Sequence, residues 1–265
     1  MKVGHQTYSW EMLGAEWKGS PDDILDAVMG AGYQGVEFSN VMIGDYWDRP
    51  EDFRRSLERR RLSLAAFAYA RNGFTDPASY KEDLAGAEKA LEFAVYFSTL
   101  VSIAGPSSPS SADLDRKLEQ ACRFYCEVAE KGRKRGVVVA VHPHSHHTSL
   151  VMNREQYDRL LKATESAGLM FNPDTGHILR GGQDPLECFR RHRKRIVHVH
   201  CKDVDSQGRW QPMGKGVCDF PRLFQFLDQT GYDGWLISEE ESDIVRKDLP
   251  LAMAQNRAYF RSLGS

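Results

Sequence analysis

The chain has 265 residues, 41% of them hydrophobic and 27% charged, which is enough for two small domains or one barrel-sized domain. Its 35 basic and 37 acidic residues give a formal net charge of −2, so we expect a small-molecule ligand and neither nucleic acid nor a membrane surface as partner. The five cysteines lack paired spacing and no long apolar segment is present, so we expect a cytoplasmic protein without disulfides.

Short β-rich apolar runs alternate with longer helical patterns along the chain, which is typical of parallel βα units. We predict eight strands, at residues 2–8, 33–39, 62–70, 98–104, 137–144, 169–172, 196–202 and 235–240. Helices should begin after Ser20, Asn153 and Asp219, each of which can cap a helix N-terminus, and GGQDP should form a turn and the start of a further helix. No linker or shift in composition divides the chain.

Eight βα units in a chain of this length predict a closed (β/α)8 TIM barrel that forms a single domain over residues 1–265. An open doubly wound sheet is the alternative fold, but the G-x-G-x-x-G turn expected after its first strand is absent. In a barrel, functional side chains lie just after the C-terminal ends of the strands. Polar residues at those strand ends are therefore the candidates for a functional site.

Histidines and carboxylates gather at the ends of the last four predicted strands. Seven of the nine histidines lie at or just beyond these ends, at positions 142, 144, 146, 147, 177, 198 and 200. Strand alternation places His198, His200 and Lys202 on one face of strand 7, and Glu239 and Glu241 on one face of strand 8. Burying these groups together is costly unless a cation or hydrogen bonds compensate, and a divalent metal ion would do so.

Simpler interpretations exist for the individual residues. Asp174 in NPDTGH could only cap a short helix, His177 could lie at the surface, and His198 could be a hydrogen-bonded barrel residue. The EEE run could be a solvated loop, and Glu37 could pair with an arginine. The motifs H-E-x-x-H, G-x-S-x-G and the P-loop are absent, so metalloprotease, hydrolase-elbow and nucleotide-binding chemistry have no support. The convergence of four strand ends favours a site.

The stretch from His142 to Glu241 resembles the xylose isomerase-like barrels, a superfamily of sugar isomerases and epimerases that includes the inosose dehydratases. The matching motifs, in the family's order, are VHPH, PDTGH..RGGQDP, RIVHVHCKDV, MGKGVCDF and GYDGWLISEEE. In the N-terminal half, only the strand pattern and GYQGVEFS match. The resemblance implies one divalent metal ion held by His142, Asp174, His200 and Glu239. Mixed imidazole and carboxylate ligands suit Mn²⁺, Co²⁺, Fe²⁺ or Zn²⁺ better than Mg²⁺.

The chain departs from the family's epimerases at two positions. The strand 5 ligand, a glutamate in many of these epimerases, falls on His142, and a second glutamate six residues later falls on Thr148. The paired glutamates that move a proton on and off opposite faces of a carbon are therefore not intact. PDTGH, GGQDP and HCKDV look more like the inosose dehydratase branch.

The resemblance also implies a mechanism. A metal ion chelated by a ketone oxygen and the neighbouring hydroxyl would stabilise the enediolate that forms when the α-proton leaves. The second step either returns a proton to carbon or expels a β-hydroxyl with a general acid. The candidates for proton transfer are Glu37, His144, His177 and Lys202. The candidates for substrate binding are His198, Lys215 and Glu241.

We therefore expect a metal-dependent sugar or cyclitol enzyme, with an inosose dehydratase-like lyase ahead of a ketose epimerase or isomerase. A non-enzymatic sugar-binding barrel and an apurinic endonuclease on the same fold rank behind them. The endonuclease would need a cluster of metal ions and a basic face for DNA, and the balanced charge argues against that. The sequence leaves open the exact substrate, the physiological metal and whether the chain forms a homo-oligomer.

Overall fold

The computed structural model describes residues 1–71, 73–110 and 112–264. It contains two compact units: the terminal unit, Met1–Ala65 with His198–Ser265, and the central unit, Ala66–Val197. The strands are β1 Lys2–Gln6, β2 Gly35–Ser39, β3 Ser63–Tyr69, β4 Val101–Ala104, β5 Val139–His142, β6 Met170–Phe171, β7 Val199–Cys201, β8 Asp203–Val204, β9 Trp210–Gln211 and β10 Trp235–Ser238. The helices are α1 Tyr8–Glu11, α2 Pro21–Gly30, α3 Pro50–Arg59, α4 Tyr80–Phe97, α5 Leu114–Lys134, α6 Arg154–Ala163, α7 Thr175–Arg180, α8 Pro185–His192, α9 Phe220–Gln229 and α10 Val245–Ser262. Each of the eight predicted strands is present and shorter than predicted.

The terminal unit is built on a parallel sheet with the strand order β2-β1-β10-β7. Its core contains fully buried apolar side chains, among them Val36, Phe38 and Leu236. A short antiparallel hairpin of β8 and β9, which the sequence patterns did not predict, follows β7. Because the strands of the sheet are parallel, the C-terminal ends of β1, β2, β7 and β10 lie at the same end of this unit.

The strands of the central unit are also parallel, with the order β6-β5-β4-β3. Phe67, Ile103 and Phe171 are fully buried in its core. In the register of these strands, Ala104 lies beside His142, and Val141 lies beside Phe171. The end of β5 and the residues that follow β6 therefore lie next to each other.

The predicted helix starts are confirmed by capping hydrogen bonds. Ser20 and Asn153 each form a capping box, with Asp23 and Gln156 respectively. The side chain of Asp219 accepts a hydrogen bond from the backbone N–H of Arg222 at the start of α9. In GGQDP, the aspartate caps α8, which begins at the next residue, so this motif is a turn and a helix start as predicted.

No helix in the described residues is both long and apolar enough to cross a lipid bilayer. The five cysteines are free thiols. Burial raises the pKa of Cys122 to about 11 and the pKa of Cys188 to about 12. These two thiols are therefore protonated at neutral pH and serve as small packing groups rather than nucleophiles.

Candidate active site

Glu37, on β2 of the terminal unit, is a buried carboxylate shared by two histidines. Its Oε2 lies 2.6 Å from Nε2 of His198 and 2.8 Å from Nε2 of His200. Burial alone would raise the pKa of Glu37, but the charge of His200 and the hydrogen bonds from both rings hold it well below its usual range. The carboxylate is therefore ionised and fixed. Its partners are histidines, so the alternative that Glu37 pairs with an arginine is not needed to explain its burial.

The two histidines that share this carboxylate differ in charge. Burial lowers the pKa of His198, against the opposing effect of Glu37. Burial also acts to lower the pKa of His200, but Glu37 and Glu239 together raise it to about 10. In the metal-free protein, His200 is therefore an imidazolium held between two carboxylates, whereas His198 is neutral and donates its Nε2 proton to Glu37.

A row of hydrogen bonds between buried polar side chains continues from β7 to the residues after β10. Nδ1 of His200 lies 2.5 Å from Oε2 of Glu239, whose other oxygen accepts a 2.7 Å hydrogen bond from the Lys202 ammonium. Lys202 also donates to Glu241. Glu240 turns away and accepts a 2.7 Å hydrogen bond from an asparagine side chain on α10. These contacts agree with the strand faces predicted from alternation.

Two aromatic side chains that the sequence analysis missed lie against the Lys202 ammonium. Its Nζ is 4.2 Å from the ring centre of Trp210 and 6.0 Å from that of Tyr8. Trp210 comes from the unpredicted β8–β9 hairpin, and Tyr8 begins α1, directly after β1. Aromatic faces attract a desolvated cation, so these rings help to hold Lys202 in a buried position.

Glu11, the last residue of α1, is a third residue that the sequence analysis missed. It is largely shielded from solvent and accepts a hydrogen bond from the Ser39 hydroxyl. Burial raises the pKa of Glu11 to about 7; the bond from Ser39 opposes this shift, and the charges of Glu239 and Glu37 add to it. The rule that functional residues follow strand C-termini applies to β1 as well, and could have identified Glu11.

In the central unit, His142, Asp174 and His177 form a buried group. Each offers a ligand atom, and these atoms lie within 4.8 Å of one another. Oδ1 of Asp174 also accepts a 2.7 Å hydrogen bond from the backbone N–H of His177, so Asp174 caps α7 as well. The two interpretations of this aspartate, a helix cap and a site residue, are therefore compatible. The prediction that His142 and Asp174 converge agrees with this geometry.

The loop after β5 fixes the ring of His177. The backbone N–H of Ser145 donates to Nδ1 of His177 at 2.9 Å, and the Ser145 hydroxyl lies 2.8 Å from the same nitrogen. A nitrogen that accepts an N–H bond carries no proton, so neutral His177 must carry its proton on Nε2. His144 follows the same strand, and its Nδ1 lies 2.5 Å from the Ser149 hydroxyl. His177 is thus buried, not at the surface as the simpler interpretation has it.

Lys215 is exposed in the loop after β9, and the structure gives no support for a contact with the buried residues of the terminal unit. This loop is held by Asp203, a buried carboxylate that sequence analysis did not single out. Its two oxygens accept four backbone N–H bonds of 2.9–3.0 Å, from Val204, Gly214, Gly216 and Cys218. Asp203 therefore organises the chain between the hairpin and α9.

The donor groups suit a divalent cation. Among the described residues, two groups within single units could hold a metal ion: His142, Asp174 and His177 in the central unit, and Glu37, His198 and His200 in the terminal unit. Both are buried and both combine imidazole with carboxylate. Such mixed donors fit Mn²⁺, Co²⁺, Fe²⁺ or Zn²⁺, whereas Mg²⁺ prefers oxygen ligands.

Comparisons with known proteins place these features in a family. An inosose dehydratase of Lacticaseibacillus casei is 26% identical over 254 residues, which cover 84% of this chain and 82% of the relative. The rhizopine catabolism protein MocC of Rhizobium meliloti is 30% identical over 257 residues, with 84% and 75% coverage.

Solved structures share the fold at low sequence identity. The probable 3-DHS dehydratase AsbF of Bacillus anthracis has a TM-score of 0.81 at 17% identity, covering 98% of this chain and 99% of that one. The IolI protein with a bound zinc atom has a TM-score of 0.82 at 14% identity, with 99% and 98% coverage. The predicted TIM barrel fold is confirmed. The xylose isomerase-like TIM barrel model matches residues 25–263, and the chain belongs to this family.

Proposed function

We propose that this chain is a divalent-metal-dependent enzyme acting on sugars or cyclitols through an enediolate, and that it is an inosose dehydratase-like lyase. The observation that carries this proposal is the buried row of imidazole, carboxylate and ammonium groups in the terminal unit: Glu37, His200, Glu239, Lys202 and Glu241. Burying so many charges is costly, and proteins arrange such groups mainly where chemistry needs them. The relatives named inosose dehydratase support the substrate class.

The metal ligands that we propose are His142, Asp174, His200 and Glu239. When bound, the ion would act as a Lewis acid toward the ketone oxygen and the neighbouring hydroxyl of the substrate. Nδ1 of His200 faces Glu239, and its Nε2 faces Glu37. Metal-binding histidines commonly donate their second N–H to a carboxylate, which fixes the ring. We therefore assign Glu37 the role of orienting His200, rather than the proton transfer first expected of it.

His144 is the best candidate for accepting the α-proton. The proton of neutral His177 lies on Nε2, so this ring donates a hydrogen bond rather than accepts a proton. Lys202 donates to two carboxylates. His144 can donate its Nδ1 proton to the Ser149 hydroxyl, and in that tautomer the basic nitrogen of the ring is Nε2. Partial exposure lets a substrate reach this ring.

A ketose epimerase or isomerase is the alternative function. It shares the first step, removal of the α-proton, and differs only in returning a proton to carbon. Thr148 stands where the family's epimerases have their second glutamate, and it cannot exchange a proton with carbon as a carboxylate does. This residue favours the lyase.

The two functions are separated by incubating the metal-loaded protein with inososes and ketoses in D₂O. An enone product with loss of water is the expected result with an inosose. Deuterium on carbon without loss of water would favour an epimerase or isomerase instead. If neither deuterium nor enone appears with any of these substrates, the proposed function is wrong.

A further inference from the structure

Dehydration needs an acid for the departing hydroxyl, and the terminal unit contains a carboxyl group with no assigned role. Glu11 ends the four-residue helix α1, which follows the C-terminal end of β1. Two contacts fix this helix: the Ser9 hydroxyl donates to the carbonyl of Glu240 at 2.9 Å, and the Thr7 hydroxyl accepts from the backbone N–H of Ser39 at 3.1 Å. The position of Glu11 is therefore set by the ends of β2 and β10.

The carboxyl group of Glu11 lies on the same side of the sheet as Glu37. Ser39, which donates a hydrogen bond to Glu11, is two residues beyond Glu37 on β2. The side chains of Ser39 and Glu37 therefore point to the same face of the sheet, and the two residues are about 7 Å apart along the strand. The Ser39 hydroxyl itself accepts from the backbone N–H of Met42 at 3.3 Å, which leaves its proton directed at Glu11. Because Glu11 is bonded to Ser39, it lies nearer to the C-terminal end of β2 than Glu37 does.

The surroundings of Glu11 favour its protonated form. Burial is the main cause of its raised pKa, the charges of Glu239 and Glu37 act in the same direction, and the hydrogen bond from Ser39 opposes them. Burial also raises the pKa of Glu241 to about 7, but Glu241, like Glu239, receives a hydrogen bond from the Lys202 ammonium, which favours the carboxylate. Glu11 is also partly accessible to solvent, as a group that meets a substrate must be. A general acid works best when its pKa is near the working pH.

We propose that Glu11 is the general acid that protonates the departing β-hydroxyl of the substrate, a role that rests on the proposed dehydratase function. After the base has taken the α-proton, the electron pair of the enediolate re-forms the ketone. The carbon–carbon double bond moves to the α and β carbons, and the β carbon–oxygen bond breaks. The Glu11 carboxyl gives its proton to that oxygen, water leaves, and Glu11 remains as a carboxylate until solvent reprotonates it.

The test compares the metal-loaded wild-type chain with Glu11→Gln, which keeps the size and polarity of the side chain but has no acidic proton. Glu16→Gln, at an exposed carboxylate five residues away, is the matched control. Each protein is incubated with an inosose in D₂O, and both the enone and the deuterium at the α carbon are measured. Thermal unfolding at pH 5 checks that the variants are folded.

In Glu11→Gln, we expect enone formation to fall about 10²- to 10⁴-fold while deuterium exchange at the α carbon continues within a few fold of wild type. Glu16→Gln should leave both rates unchanged. An analogue with fluoride in place of the β-hydroxyl needs no protonation to leave, so Glu11→Gln should eliminate fluoride at close to the wild-type rate. That rescue would not occur if Glu11 served only to hold the fold.

Three results would overturn this role. Enone formation within a few fold of wild type in Glu11→Gln would show that another group is the acid. Loss of both exchange and elimination in a folded variant, without rescue by fluoride, would place Glu11 in the first step or in binding. If wild type itself shows neither exchange nor enone, the proposed function fails, and the role of Glu11 fails with it.

Discussion

Replacing Glu11 by glutamine should stabilise the metal-free protein above neutral pH, and the effect should disappear in acid. The pKa of Glu11 is raised from its ordinary value of 4.5 to about 7, mainly by burial. Between these two values the unfolded chain has lost the proton, whereas the folded chain still holds it. The folded state therefore binds more protons, and its stability falls as the pH rises from about 4.5 to about 7.

The size of this pH-dependent stabilisation follows from the shift in the pKa of Glu11. A shift from 4.5 to about 7 corresponds to about 3 kcal/mol, which is an upper limit because Glu11 is partly exposed to solvent. Glutamine does not ionise, so it avoids this cost. Relative to wild type, Glu11→Gln should gain up to about 3 kcal/mol in free energy of unfolding between pH 5 and pH 8.

Urea unfolding at pH 5, 6, 7 and 8, with a chelator to remove metal ions, measures the difference. In the control Glu16→Gln, the carboxylate is exposed in both the folded and the unfolded state, so its difference from wild type should be the same at each pH. A Glu11→Gln difference that does not change with pH would contradict a raised pKa of Glu11 in the folded protein. It would mean that Glu11 titrates in the folded protein as it does in the unfolded chain.

Asp203, Trp210 and His177 each make a contact whose effect can be measured separately. Asp203→Ala should lower the free energy of unfolding by about 3 kcal/mol, because four backbone N–H groups lose their acceptor and two of these bonds are buried. A loss under about 1 kcal/mol in urea unfolding would contradict this. Trp210→Ala should lower the free energy of unfolding by about 1 kcal/mol, because the ring contact with Lys202 is lost. Trp210→Phe keeps an aromatic ring and should lower it less, as measured by thermal unfolding. Equal losses in the two variants would argue against the ring contact. In ¹⁵N NMR spectra of the metal-free protein, neutral His177 should carry its proton on Nε2, and a proton on Nδ1 would be inconsistent with the bond from Ser145.

Features of the fold that depend on the local pattern of apolar and capping residues could be predicted from the sequence. The eight strands follow from short apolar runs, and the helix starts at Ser20, Asn153 and Asp219 follow from side chains that cap the next turn. The β8–β9 hairpin could not be predicted in this way. Its strands have two residues each, too few for an alternating pattern, and it depends on the bonds of Asp203 to the following loop.

The candidate site was predictable where strand alternation decides which side chains meet. His200 and Lys202 share a face of the strand region, and both contact Glu239 as that alternation requires. The bond from Ser145 to His177 spans 32 residues, and no periodicity in the sequence indicates it. The hydrogen bond from Ser39 to Glu11 likewise joins the end of β2 to the end of α1, so only the folded structure brings the two residues together.

We propose that Asp174 and His200 belong to the ligand set of one divalent ion, and metal retention tests this assignment most directly. Wild type, Asp174→Ala, His200→Ala and Asp184→Ala are loaded with Mn²⁺, dialysed and analysed for bound metal. Asp184→Ala is the matched control, because this aspartate caps α8 through the same kind of bond with which Asp174 caps α7. We expect wild type and Asp184→Ala to retain one ion per chain, and Asp174→Ala and His200→Ala to lose it. Full retention of the metal by both of these folded variants would contradict the ligand assignment.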